Sequence, residues 1–243
     1  MRIPRLYTRQ PLNADSLVIL DKDAARYLSS VLRMTSGQMI NLFNGDGLEY
    51  VADVVSLGKN QVTVSIVKSL SNDRESPLKI HLAIGISRGE RMDWVIQKAT
   101  ELGIHAITPI FTERTEVKLT GSRLEKRLTH WQQVAISACE QCQRNIVPTI
   151  NNASSLQQCL ENDPGGLKMV LHHRTETRLT ELQNIDGIVT MLVGPEGGLS
   201  EYEIALAESH GYNAIKLGPR ILRTETAPLA AISILQALWG DMG

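Results

Sequence analysis

Aromatic residues are scarce: Phe, Trp and Tyr make up 4% of 243 residues. That leaves little material for the rows of stacked rings found in single-strand binders. Cysteine is rarer still, and three is an odd count, which argues against a disulfide framework. No apolar run approaches the roughly 18–20 residues needed to span a bilayer. The opening Met1-Arg2-Ile3-Pro4-Arg5 has no leader-like apolar core, so a cytoplasmic location is expected. An excess of charge of one sign is missing too, since the formal net charge is −1; the overall balance does not announce nucleic acid. Neither GxxxxGK[ST] nor GxGxxG occurs, which removes the P-loop and dinucleotide-fold readings. Cys139 and Cys142 have CxxC spacing, but no second pair exists and Cys159 stands alone. They fall inside a long helical pattern, so they read as two small helix residues and no metal is expected.

What is present suits a packed α/β protein. Hydrophobic residues make up 42% and charged residues 21%, in the range of folded domains. Residues 1–70 read as mainly β, with strands expected at Leu17–Leu20, Met39–Phe43, Tyr50–Val55 and Val62–Val67. Asn44-Gly45-Asp46-Gly47 is a turn signal, and Asp21 or Asp23 can cap a helix through Ala24 to about Leu32. This pattern suggests a small barrel. Residues 71–77 are polar and read as a linker. From 78 to 243, strand and helix alternate. Strands are expected at Ile80–Ile86, Ile104–Ile110, Ile146–Ile150, Leu167–Leu171, Ile188–Val193 and Ala214–Leu217. A long helix from Ser122 to Gln143 carries an expected capping box, Ser122 with Glu125. The reading is an α/β domain with a mostly parallel sheet covered on both faces.

Two stretches stand out: Leu192-Val193-Gly194-Pro195-Glu196-Gly197-Gly198-Leu199-Ser200 and Leu217-Gly218-Pro219-Arg220-Ile221-Leu222-Arg223-Thr224-Glu225-Thr226-Ala227. Each carries a strand into Gly-Pro, a loop and a helix. Ligands of open α/β sheets sit beyond the carboxyl ends of strands, where both loops fall. Ser200 with Glu203 reads as a capping box and Thr226 as the cap of the final helix. The acid Glu196 disfavours a phosphate and suits a cationic, donor-rich ligand. The opening segment is locally basic, through Arg2, Arg5, Arg9, Arg26 and Arg33, which fits contact with phosphates.

These motifs, with Lys98-Ala99-Thr100-Glu101-Leu102-Gly103 and Glu140-Gln141-Cys142-Gln143-Arg144, resemble the RsmE family of 16S rRNA (uracil(1498)-N(3))-methyltransferases, of the SPOUT class. The resemblance covers essentially the whole chain. It implies an α/β SPOUT trefoil-knot domain at 78–243 and a PUA-like, RNA-holding β-barrel domain at 1–70. It also implies a homodimer that binds S-adenosyl-L-methionine in the knot loops and acts on 16S rRNA of the small ribosomal subunit. Carried over, the cofactor residues are Leu171, His172, Val193, Gly194, Pro195, Gly197, Leu217, Gly218, Ile221, Leu222, Arg223 and Thr226. Candidates for charge and orientation at the uracil are Arg144 and Arg223; for proton removal, Glu140 and Glu196. Arg88, Arg91, Lys98 and Arg114 extend the expected RNA track. The alternative is a non-catalytic RNA-binding or ribosome-assembly protein of the same fold.

Overall fold

The computed structural model describes residues 3–72, 74–162, 164–182 and 187–243. Arg2, expected on the RNA track, lies outside the described residues. The chain divides into two compact units: Met1–Glu75 with Cys139–Val147, and Ser76–Ala138 with Pro148–Gly243.

The first unit holds β1 (Arg5–Tyr7), β2 (Leu17–Leu20), α1 (Lys22–Arg26), β3 (Met39–Phe43), β4 (Glu49–Leu57) and β5 (Val62–Leu70). Its sheet runs β1-β3-β4-β5-β2, antiparallel except for the β1–β3 pair. Alternation turns one row inward: Val18 and Leu20, Ile40 and Leu42, Ala52 and Val54, and Val62, Val64 and Ile66. Ala25 and Leu28 close this core. The Asp21 side chain accepts from the Ala24 N–H at 3.0 Å, capping α1. The expected helix to Leu32 is broken in kind, because Tyr27–Val31 widens into a π-helical turn. The three-residue β1 is too short to show a period in the sequence.

The second unit holds β6 (Lys79–Gly85), α2 (Arg91–Glu101), β7 (Ala106–Phe111), α3 (Gly121–Cys142), β8 (Thr149–Ile150), β9 (Ser154–Ser155), α4 (Leu156–Glu161), β10 (Leu167–Leu171), β11 (Ile188–Val193), α5 (Glu201–Ser209), β12 (Asn213–Ile215) and α6 (Thr226–Trp239). The last residues of α3 count with the first unit. The sheet runs β12-β10-β11-β6-β7-β8, with β9 also on β7, and every pair is parallel. Strand β11 is buried from Val189 to Val193, as a strand covered on both faces must be. Ala83, Val170 and Leu192 pack with Leu156 and Leu160 of α4 and Ile204 and Ala207 of α5. Alternation sends Ile84 and Met191 to the opposite face, where α6 meets β11 and α2. Among the described residues no helix is long and apolar enough to cross a membrane.

Three local expectations are corrected. Helix α3 starts at Gly121, so Ser122 lies inside its first turn and does not cap it. The strand expected over Ile146–Ile150 shrinks to Thr149–Ile150. Pro148 has no N–H to give a ladder, and the Ile146 N–H is taken by Glu75 at 3.2 Å. The N-cap of α6 is Glu225, without a side-chain capping bond, and Thr226 is the first helical residue.

Candidate active site

Strands β12, β10 and β11 are parallel neighbours, so their carboxyl ends lie along one edge. The three loops leaving that edge enclose a cavity of about 540 Å³, within the usual range for small-molecule sites. From β10 come Leu171 and His172; from β11, Val193 through Leu199; from β12, Leu217, Gly218 and Arg220 through Glu225.

The β11 loop is folded tightly by its own sequence. The Gly198 N–H donates to the Pro195 carbonyl at 2.8 Å, and Gly198 has φ +69°. A Cβ on Gly194 would stand 2.8 Å from the Gly198 carbonyl carbon and from the Leu199 nitrogen, both backbone. Only glycine fits there. The Thr224 hydroxyl donates to the Gly194 carbonyl at 2.8 Å, tying the β12 loop to the β11 loop. Arg114 donates to the Gly197 carbonyl at 2.9 Å. Ser200 and Glu203 form the capping box of α5. The buried Glu203 does more: one oxygen accepts from the Ser200 N–H and the other from the Glu113 N–H, each at 2.8 Å. One carboxylate thus joins the segment after β7 to the start of α5.

Glu196 accepts from the Arg88 N–H at 2.9 Å and from the Arg91 guanidinium at 2.5 Å. Burial alone would push its carboxyl up, but the Arg88 N–H, its own N–H and Arg91 together hold it below the usual carboxylate value. Arg91 also lies 4.0 Å from Glu225, which lies 3.9 Å from Arg223. The Arg223 side chain is 81% exposed, the most open member of this chain of charges. Burial first, then His173, lowers the pKa of His172 below the ordinary histidine value.

Of the expected cofactor residues, Thr226 alone does not line this cavity; it lines a neighbouring recess. Among the four expected catalytic residues, Arg223 and Glu196 are on its wall. Glu140 and Arg144 belong to the first unit. There the buried Arg144 is ion-paired with Glu75 at 2.6 Å, and Glu140 accepts from the Tyr7 N–H at 3.0 Å. Burial raises the Glu140 carboxyl, partly offset by that N–H and by Arg5.

The expected RNA-facing cations divide. Arg9, Arg26, Arg33, Arg88, Arg91 and Arg114 are exposed, and Lys98 is held by Glu101 at 2.8 Å. Arg5 is not on the surface. Its side chain is 6% exposed and paired with Glu49 at 3.0 Å. It donates to the carbonyls of Cys139 and Arg144 and to the Asn145 side chain, and lies 3.9 Å over the Phe43 ring. A cation so engaged holds the unit together and does not meet a phosphate. The Cys139 thiol is buried in α3, and a side-chain bond with Cys142 and burial push its pKa far up. That is the opposite of what a ligating or redox thiolate needs.

The sequence reading missed Thr224, whose signal was its place in Arg223-Thr224-Glu225-Thr226. It also missed the second bond of Glu203, to a segment 90 residues away, for which no local signal exists.

Comparison with known proteins agrees with this geometry. Residues 74–236 match the model of an RNA methyltransferase domain, and residues 20–67 that of an RNA methyltransferase PUA domain. The class is therefore an RNA methyltransferase with an α/β SPOUT trefoil-knot domain and a PUA-like domain. Ribosomal RNA small subunit methyltransferase E of Buchnera aphidicola (from Schizaphis graminum) is 37% identical, covering 99% of this chain and 98% of the relative. The Bacillus subtilis protein of that name is 34% identical over 94% and 93%. A solved Neisseria gonorrhoeae protein of the same name, bound to S-adenosyl methionine, has TM-score 0.94 and 40% identity, with both chains covered completely. A Legionella pneumophila methyltransferase solved with bound SAM has TM-score 0.96 and 41% identity, over 99% and 100%. The chain belongs to the ribosomal RNA small subunit methyltransferase E family.

Proposed function

We propose that this chain transfers the methyl group of S-adenosyl-L-methionine to N3 of a uridine of the U1498 type in 16S rRNA. The observation that carries the reading is the cavity at the ends of β12, β10 and β11, with its glycine loops intact. The residues fit this ligand. Leu171, Val193, Leu217 and Leu222 offer aliphatic walls for an adenine ring. Gly198 and Gly218 face open space, since a Cβ added at either would meet nothing within 4 Å, so backbone groups there are accessible to an adenosine. Glutamates on the cavity wall suit a cationic sulfonium and an amino group.

The bound sulfonium supplies an electrophilic methyl carbon. The protein's task is to align N3, that carbon and sulfur, and to favour the uracil anion. The loops after β10, β11 and β12 would hold the cofactor, which would give its methyl carbon to N3 and leave as a neutral thioether, the N3 proton passing to solvent. Arg223, charged and exposed at the cavity mouth, places positive charge beside the uracil carbonyl oxygens. Glu196 is bound to Arg88 and Arg91 and is a weak base, so its role is to anchor the loop. Glu140 and Arg144 hold the first unit in shape, and any effect they have on turnover runs through that unit.

The substrate is the assembled small subunit, the enzyme acts in the cytoplasm as a homodimer, and the region 1–70 holds RNA through Arg9, Arg26 and Arg33. Exposed Ile234 and Leu238 on α6 support pairing of two copies. The test is transfer of labelled methyl from S-adenosyl-L-methionine to unmethylated small subunits, followed by mapping of the base. We expect N3-methyluridine at one site, and no cofactor binding by Gly194→Val. A wild-type protein that binds the cofactor yet labels neither subunits nor naked 16S rRNA would favour the non-catalytic alternative.

A further inference from the structure

Beside the cavity, and sharing Arg91, Arg223 and Glu225 with it, lies a second recess at the start of α2. Its lining also includes Arg88, Trp94 and Thr226. Trp94 is out of pattern. The apolar stripe of α2 is Met92, Val95, Ile96 and Ala99, all buried. Trp94 is off that stripe and 47% exposed, in a chain with only three tryptophans. No need of the core accounts for it.

The surroundings say what the ring could receive. No aliphatic side chain lines the recess, so an apolar protein surface would find one aromatic ring among charges. Of the three arginines there, Arg88 is paired with Glu116 at 2.7 Å and Arg91 with Glu196 at 2.5 Å, which leaves Arg223, 81% exposed, as the most open cation. An exposed aromatic face beside an open guanidinium suits a nucleobase. The shared wall puts such a base one side chain away from the cavity, which in-line transfer between the two requires.

We propose that this recess receives the flipped target uracil, with Trp94 stacked on its face and Arg223 beside its carbonyl oxygens. The inference rests on the methyltransferase reading above. Extrusion of the base from the RNA has to be offset inside the enzyme, and stacking is the usual means.

Trp94→Ala and Trp94→Phe test this with the full chain, unmethylated small subunits and labelled S-adenosyl-L-methionine. Loss of one stacking platform should lower kcat/KM for the subunit about 10- to 100-fold. Cofactor affinity by calorimetry and the sedimentation of the protein should not change, and Trp94→Phe should recover most of the rate. Alanine at wild-type kcat/KM, phenylalanine as poor as alanine, weakened cofactor binding, or a changed oligomeric state would each overturn the role of Trp94. None of these would touch the function itself, which fails separately if the wild-type protein transfers no methyl group.

Discussion

At the residue scale, the site works by removing choices. Gly194 tolerates no side chain because the backbone of Gly198 and Leu199 occupies that space. Glu196 keeps its charge because an N–H and a guanidinium hold it. The pKa of His172 is held below the ordinary histidine value, and this has a measurable consequence. Burial disfavours the imidazolium, as does His173, with a smaller contribution of the same sign from Arg174; Glu201 and Glu208 oppose them. A bound sulfonium adds another positive charge, which disfavours the protonated ring further. Cofactor affinity should therefore hold above pH 6.5, the ordinary histidine value. It should fall as acidification protonates His172, by at most about tenfold per pH unit. Calorimetric titration against pH checks this, and His172→Gln should flatten the profile.

At the scale of elements, the recurring device is one polar side chain that serves two segments. Glu203 caps α5 and also holds the segment after β7; Thr224 ties the β12 loop to the β11 loop. Replacing Glu203 by Ala leaves the N–H groups of Ser200 and Glu113 without their acceptor. Losing charge-assisted bonds at a buried position should cost about 2–4 kcal/mol. Urea denaturation should show the loss as a lower midpoint. Ser200→Ala removes only the cap and should cost about 1 kcal/mol. Equal losses in the two variants would mean that the bond to Glu113 contributes nothing.

At the scale of the whole molecule, charge is distributed and not accumulated. The chain is almost neutral, yet Arg9, Arg26 and Arg33 are exposed and clustered in the opening segment. Affinity for the ribosomal subunit should therefore depend steeply on salt while cofactor affinity does not. Raising monovalent salt from about 50 to 200 mM should increase KM for the subunit, because binding displaces cations from the phosphates and their release is less favourable into more concentrated salt. The double variant Arg26→Gln/Arg33→Gln should show a shallower salt slope, whereas Arg5→Gln should lower stability and leave that slope unchanged. A wild-type KM insensitive to salt would remove the basic segment from RNA contact.

The sequence by itself determined the alternation of elements, the two Gly-Pro loops and the strand ends that carry them. Period-two runs such as Val62–Ile66 and the stripe Met92, Val95, Ile96, Ala99 are local patterns, and burial follows them directly. The capping box Ser200–Glu203 was legible because both partners lie within one turn. What only the tertiary structure decided depends on distant partners. Arg5 and Arg9 look alike in sequence, yet Arg5 meets Glu49 and the carbonyls of residues 139 and 144 while Arg9 stays in solvent. Arg114 resembles a phosphate contact until it is found holding the Gly197 carbonyl. Trp94 lies on a helix with an ordinary apolar stripe, and only packing shows that its ring is left outside, beside the charges around the cavity. Charge and hydrophobicity are properties of a residue, but their use depends on which groups the fold brings within reach.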